Sequence, residues 1–153
     1  MIKISDLLNK DVIKANLEAG DKKGVLKELV DLLYESGKVK DKDKVLKVLL
    51  EREALGSTGI GEGVAIPHGK LDNLDKIVAA FGRSLEGVDF GSLDNQPAHL
   101  FFLFLAPKDS AGDHLKVLAK ISRLLKNTLF REALLTAKDT DEIMNKIREE
   151  ESR

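Results

Sequence analysis

The chain has 153 residues, 42% hydrophobic and 33% charged, and its 25 Lys and Arg against 26 Asp and Glu leave a formal net charge of −1 at pH 7. That length suits one domain, expected over residues 1–153, and the charge balance gives no overall positive field of the kind that draws proteins onto nucleic acid, so no nucleic-acid partner is expected. Cysteine is absent, which excludes disulfides, thiolate nucleophiles and cysteine-bound metals.

The opening MIKISDLLNKDVIK alternates charged with apolar residues and lacks the long apolar region of a secretion signal. No stretch approaches the length that spans a bilayer, so a cytoplasmic protein without direct membrane insertion is expected. From Asp21 to Gly37, Leu26, Leu29, Val30 and Leu33 recur at helical spacing, with Asp21 placed to cap the helix and Gly37 to end it. After Lys38-Val39-Lys40, Asp41 or Asp43 opens a second helix running to about Ala54, expected to bury Val45, Leu46, Leu49 and Leu50.

Between Gly56 and Gly69, four glycines within eight positions predict a loop, leading into a short strand at Val64-Ala65-Ile66. Pro67 holds Ile66 extended and donates nothing to a ladder, so His68 is expected at a strand end, aimed outward. The runs Ile77–Leu85 and Ala98–Leu105 read as strands, the second apolar enough to be central and covered on both faces. Helical spacing returns with Leu115, Leu118, Ile121 and Leu125, then Phe130, Ala133, Leu134 and Ala137, then Ile143, Met144 and Ile147. The expected fold class is α/β: a single layered domain with a mixed β-sheet sandwiched between helices and no regular βαβ repeat.

Candidate chemistry centres on few residues. The glycine-rich segment lacks the glycine spacing of a dinucleotide loop and has no Gly-Lys-Ser/Thr, so it fits a phosphate cradle or a plain turn equally. The histidines are His68, His99 and His114. Taken singly, each is more commonly structural or exposed. His99 follows Pro97-Ala98 at the mouth of a buried strand, where packing is the favoured reading. His114 sits at a predicted helix start, where backbone N–H groups and the helix dipole favour an anion. Arg52 lies in a charge run that would ordinarily be solvated. Without Cys or a His-x-x-x-His spacing, these histidines make a poor zinc motif, and neither metal nor cofactor is expected.

The segment Arg52-Glu53-Ala-Leu-Gly-Ser-Thr-Gly-Ile-Gly-Glu-Gly-Val-Ala-Ile-Pro-His68-Gly69 resembles the signature of enzyme IIA of the bacterial phosphoenolpyruvate:sugar phosphotransferase system, in its fructose/mannitol and nitrogen-regulatory class. Val88-Asp89-Phe90, Leu93-Asp94-Asn95-Gln96-Pro97, the apolar strand ending in Ala106-Pro107, and Asp113-His114-Leu115 extend the resemblance over nearly the whole chain. It implies a transferase component that accepts a phosphoryl group on His68 from the histidine-containing phosphocarrier protein and passes it to enzyme IIB for sugar uptake. Arg52 would then stabilise the phosphate and His114 would support His68. A regulatory binding module of the nitrogen-regulatory type, switching protein partners on phosphorylation, is the alternative, and Gly56–Gly59 with Ala65–Leu71 lean toward it. Ser57 and Thr58 are candidate phosphate donors, and the glycines at 59, 61 and 63 are expected to keep the surroundings of His68 flat for partners.

Overall fold

Capping side chains open the helices near where the sequence places them. In the computed structural model, which describes residues 2–110 and 112–153, the Asp21 carboxylate accepts from the Gly24 N–H at the start of α2 (Lys22–Glu35). Asp41, not Asp43, caps α3 (Lys42–Ala54) by accepting from the Lys44 N–H. Gly37 ends α2 with φ +76°, a left-handed turn that glycine adopts without strain. In α3 the buried positions are Val45, Leu49 and Glu53. Leu46 and Leu50, expected in the core, are only half-buried, because spacings of four residues put 45, 49 and 53 in one line against the sheet and leave 46 and 50 beside it.

The expected mixed sheet and helical layers are present. β6 (Ala98–Pro107) is central, antiparallel to β5 (Val78–Val88) on one side and parallel to β3 (Val64–Ala65) and β4 (His68–Leu71) on the other. β1 (Ile13–Lys14) pairs with β5, and β2 (Gly59–Gly61) pairs with β3. Leu100 through Ala106 are all buried, as a strand covered on both faces requires. α2 and α3 cover one face, where bare glycine positions Gly82 and Gly69 meet Leu29 of α2 and Val48 of α3. α1 (Ile4–Leu7), α4 (Asp113–Leu124), α5 (Thr128–Thr136) and α6 (Thr140–Glu151) pack together over the other. Leu115, placed in the core by its spacing, is instead 64% exposed, and Val117 and Ile121 carry the buried stripe of α4.

β1 and α1 lie in the opening segment, whose alternating pattern signalled neither. Their support is distant in sequence: the Glu151 carboxylate at the end of α6 accepts from the backbone N–H groups of Ile4 and Ser5. On the α5 side, the buried Arg83 guanidinium donates to the carbonyls of Ala15, Leu134 and Ala137. No helix among the described residues is long and apolar enough to cross a membrane.

β3 and β4 keep one register against β6, with Val64 opposite Leu100, Ala65 opposite Phe101 and His68 opposite Phe104. They are one line of pairing along β6, interrupted at Ile66-Pro67. Pro67 has no N–H to give, yet its carbonyl still accepts from the Phe104 N–H, and the Ile66 N–H turns to the Thr58 carbonyl. His68 therefore stands at the start of β4, the strand end expected for it, but it is only 7% exposed and not aimed out into solvent, which corrects the outward orientation read from the sequence. The glycine-rich stretch also serves another purpose than the expected one. Glu62 and Gly63 both have positive φ, as the two-residue turn of a β2–β3 hairpin demands. That hairpin meets β6 at Leu100 and Phe101, away from the His68–Phe104 pair.

Gly69, between His68 and Lys70, turns its bare Cα to α3: a Cβ there would lie 2.7 Å from Val48 Cγ1. Valine on a helix has essentially one rotamer, so strand or helix must shift. Gly69→Ala is expected to destabilise the fold by about 1–3 kcal/mol, read as a lower urea midpoint with an unchanged slope.

Candidate active site

Strand alternation sets the orientation of the site. With Gly69 turned to α3, His68 and Lys70 fall on the opposite face of β4, the face covered by α4. His68 lies over Phe104, its partner in register, with ring centroids 5.2 Å apart and planes 9° from parallel. His114, in the first turn of α4, closes the group, with its ring 5.2 Å from His68 and 5.4 Å from Phe104. An open depression above these rings is lined by His68, His114, Lys70, Arg52, Glu51 and Leu55 among others. The fold thus brings together His68, His114 and Arg52, three residues singled out in the sequence.

The tautomer of His68 follows from one contact. Its Nδ1 lies 2.7 Å from the Ile66 carbonyl oxygen. A carbonyl only accepts, so Nδ1 carries the proton and, in the neutral ring, Nε2 carries the lone pair. Burial is the main cause pushing the His68 pKa below the ordinary imidazole value; the Ile66 hydrogen bond opposes it, Arg52 adds to it and Glu53 opposes it. The His114 pKa is lowered too, first by burial and then by His68, Lys70 and Arg52. Both rings are consequently neutral at neutral pH, which leaves Nε2 of His68 a nucleophile.

Arg52 reaches the depression from the last turn of α3, where its Nη1 donates to the Gly56 carbonyl at 2.9 Å. The loop that offers this carbonyl is anchored from below. The buried Glu53 carboxylate accepts from the Thr58 N–H at 3.0 Å, from the Thr58 hydroxyl and from Lys22 Nζ at 3.0 Å. The Ser57 hydroxyl donates to the Phe90 carbonyl and accepts from the Gly59 N–H. Neither Ser57 nor Thr58 lines the depression. A hydroxyl has one proton to give, and both are given inside the fold, so the expectation is corrected for these two hydroxyls: they fasten the loop that holds Arg52.

His99 is a separate matter. Its Nδ1 donates to the Ser84 carbonyl at 2.8 Å and its ring fills the space beside Gly87, where β5 loses its register with β6. The packing role read from the sequence is the role it has. Three contributors were missed. Glu53 looked solvated within a charge run, although its spacing from Val45 and Leu49 marks the buried face. Lys70 was legible by period two from His68. Phe104 carried no signal within a wholly apolar strand.

Since folding lowers the pKa of both His68 and His114, the unfolded chain binds more protons as pH falls below about 6.5. The stability these rings contribute is present above that pH and is lost as pH falls toward their folded values. Urea midpoints are expected to drop between about pH 7 and pH 5, and to drop less in a His68→Gln/His114→Gln double variant. Arg52→Gln removes a cation that depresses both rings, so a nitrogen-15 NMR titration is expected to show both pKa values rise.

Comparison with known proteins places this arrangement. Residues 6–150 match the family described as phosphoenolpyruvate-dependent sugar phosphotransferase system, EIIA 2. The PTS system fructose-specific EIIABC component of Bacillus subtilis is 43% identical over 144 residues, covering 94% of this chain, which spans only 23% of that relative's length. A nitrogen regulatory protein of Bradyrhizobium diazoefficiens is 43% identical over 140 residues, covering 92% of this chain and 91% of its own. Nitrogen regulatory protein IIA-Ntr from Neisseria meningitidis superposes with a TM-score of 0.87 at 35% identity, over 94% of this chain and 98% of that one. Enzyme IIAMtl of Escherichia coli, solved in complex with phosphorylated enzyme IIBMtl, shares the fold with a TM-score of 0.80 at 24% identity, over 93% and 97% of the two chains. The chain belongs to the EIIA type 2 family of the phosphoenolpyruvate-dependent sugar phosphotransferase system.

Proposed function

We propose that this chain carries a phosphoryl group on Nε2 of His68, taking it from the phosphorylated histidine-containing phosphocarrier protein and giving it to enzyme IIB. The observation that carries the reading is the hydrogen bond from Nδ1 to the Ile66 carbonyl, which leaves Nε2 as the nucleophilic atom. The Nε2 lone pair attacks phosphorus while the donor's N–P bond breaks and its electron pair returns to the donor imidazole. The Nδ1 proton stays on the ring, offsetting part of the phosphoryl charge. On onward transfer the Nε2–P pair returns to Nε2 and a neutral imidazole leaves. Such a loose transfer asks the protein chiefly for positioning and charge compensation, and the presence of Arg52 and His114 in the same depression as His68 supports giving them these tasks.

The regulatory reading shares this chemistry and differs in its consequence. Relatives at equal identity carry a fructose-specific name and a nitrogen regulatory name. In the regulatory case a dianion arriving beside the exposed Leu55, which lines the depression, changes which protein surface can dock there.

Intact-mass measurement after incubation with phosphoenolpyruvate, enzyme I and the phosphocarrier tests the carrier reading. One acid-labile phosphoryl group is expected on the wild type and none on His68→Ala. His114→Ala is expected to label about 10–100-fold more slowly. Absence of label on the folded wild type, or label that survives loss of His68, would refute the proposal.

A further inference from the structure

We propose that Lys70 is a further holder of the phosphoryl group on His68 and sets how long the phosphorylated protein keeps it; this inference rests on the carrier reading above. Lys70 stands two positions along β4 from His68, so the pleat carries both side chains to the same face while Gly69 between them packs against Val48. It lines the same depression as His68, His114 and Arg52. Its lysine neighbours are engaged: Lys44 and Lys108 share Asp72, and Lys22 is held by Glu53. Lys70 has no ion pair among the described residues, and its charge is felt at His114.

The resting depression therefore sets two cations, Arg52 and Lys70, beside neutral rings. Glu51 is the one carboxylate-bearing residue in its lining, while Glu53 is turned inward to Thr58 and Lys22. A dianion arriving beside these cations is attracted by both. A phosphoryl group on Nε2 supplies that dianion. Hydrolysis of the phosphorylated ring breaks the Nε2–P bond, returns the pair to Nε2 and passes the phosphoryl group to water as inorganic phosphate. In a loose transition state the cleaving bond drains charge from the phosphoryl oxygens, so a cation beside them stabilises the bound dianion more than the transition state. Lys70 thus lengthens the life of the phosphorylated form and draws the transfer equilibrium toward it.

The test uses the full-length phosphorylated protein, freed of its donor, as wild type, Lys70→Gln and Lys70→Arg. Loss of the phosphoryl group is followed by intact mass at neutral pH, and the equilibrium with the phosphocarrier is measured separately. Lys70→Gln is expected to lose the group about three- to tenfold faster and to shift the equilibrium toward the donor by a similar factor. Lys70→Arg is expected to stay within about twofold of wild type in both measurements. The side chain is exposed, so wild-type thermal melting is expected in both variants. An unchanged lifetime in Lys70→Gln, alone or with a raised KM for the donor, overturns the proposal and assigns Lys70 at most to docking. If the wild type accepts label on His68 while Lys70→Gln is unchanged, only this inference fails; if the wild type accepts none, the carrier reading fails and this inference with it.

Discussion

The site depends on a single carbonyl that the sheet does not use. Strand alternation turns the polar groups of Ile66 away from β6: its N–H donates to the Thr58 carbonyl, and its oxygen accepts from Nδ1 of His68 two residues on. That bond sets the tautomer, and the stack on Phe104 sets the plane of the ring. Had Pro67 been an ordinary residue, its N–H would have needed a partner of its own.

Charge is arranged around that ring with equal economy. Glu53 is adjacent in sequence to Arg52, yet the helix turns it to the buried side, where Lys22 and Thr58 satisfy it completely. The carboxylate that would have neutralised Arg52 is thereby removed from it. What remains beside the rings is net positive, with both imidazoles lowered in basicity by burial and by Arg52, and His114 by Lys70 as well.

Much of this was legible in the sequence. The helix caps at Asp21 and Asp41, the buried strand from Leu100 to Ala106 and the grouping of His68 with His114 and Arg52 follow from local signals or from a long motif. What escaped was non-local. β1 is two residues long and α1 four, and both exist because α6 and β5 receive them. The hydroxyls of Ser57 and Thr58 look like phosphate donors in a linear motif, and only the folded loop reveals that Phe90 and Glu53 have taken them. The exposed Leu115 and half-buried Leu46 and Leu50 show the limit of periodicity: it marks a helix, but the edge of its buried stripe is decided by the neighbours.

The stacking of His68 on Phe104 reaches beyond the orientation of one ring. Phe104 stacks on one face of the imidazole, His114 stands beside it, and Nδ1 is tied to the backbone, which leaves Nε2 as the ring nitrogen free to react. In the proposed carrier role, donor and acceptor would have to use that nitrogen in turn, so no complex of all three proteins could form around the phosphoryl group. Each passage would invert the configuration at phosphorus, and a round of two would restore it. The kinetic pattern of such a carrier would be ping-pong, because one ring nitrogen would serve both partners.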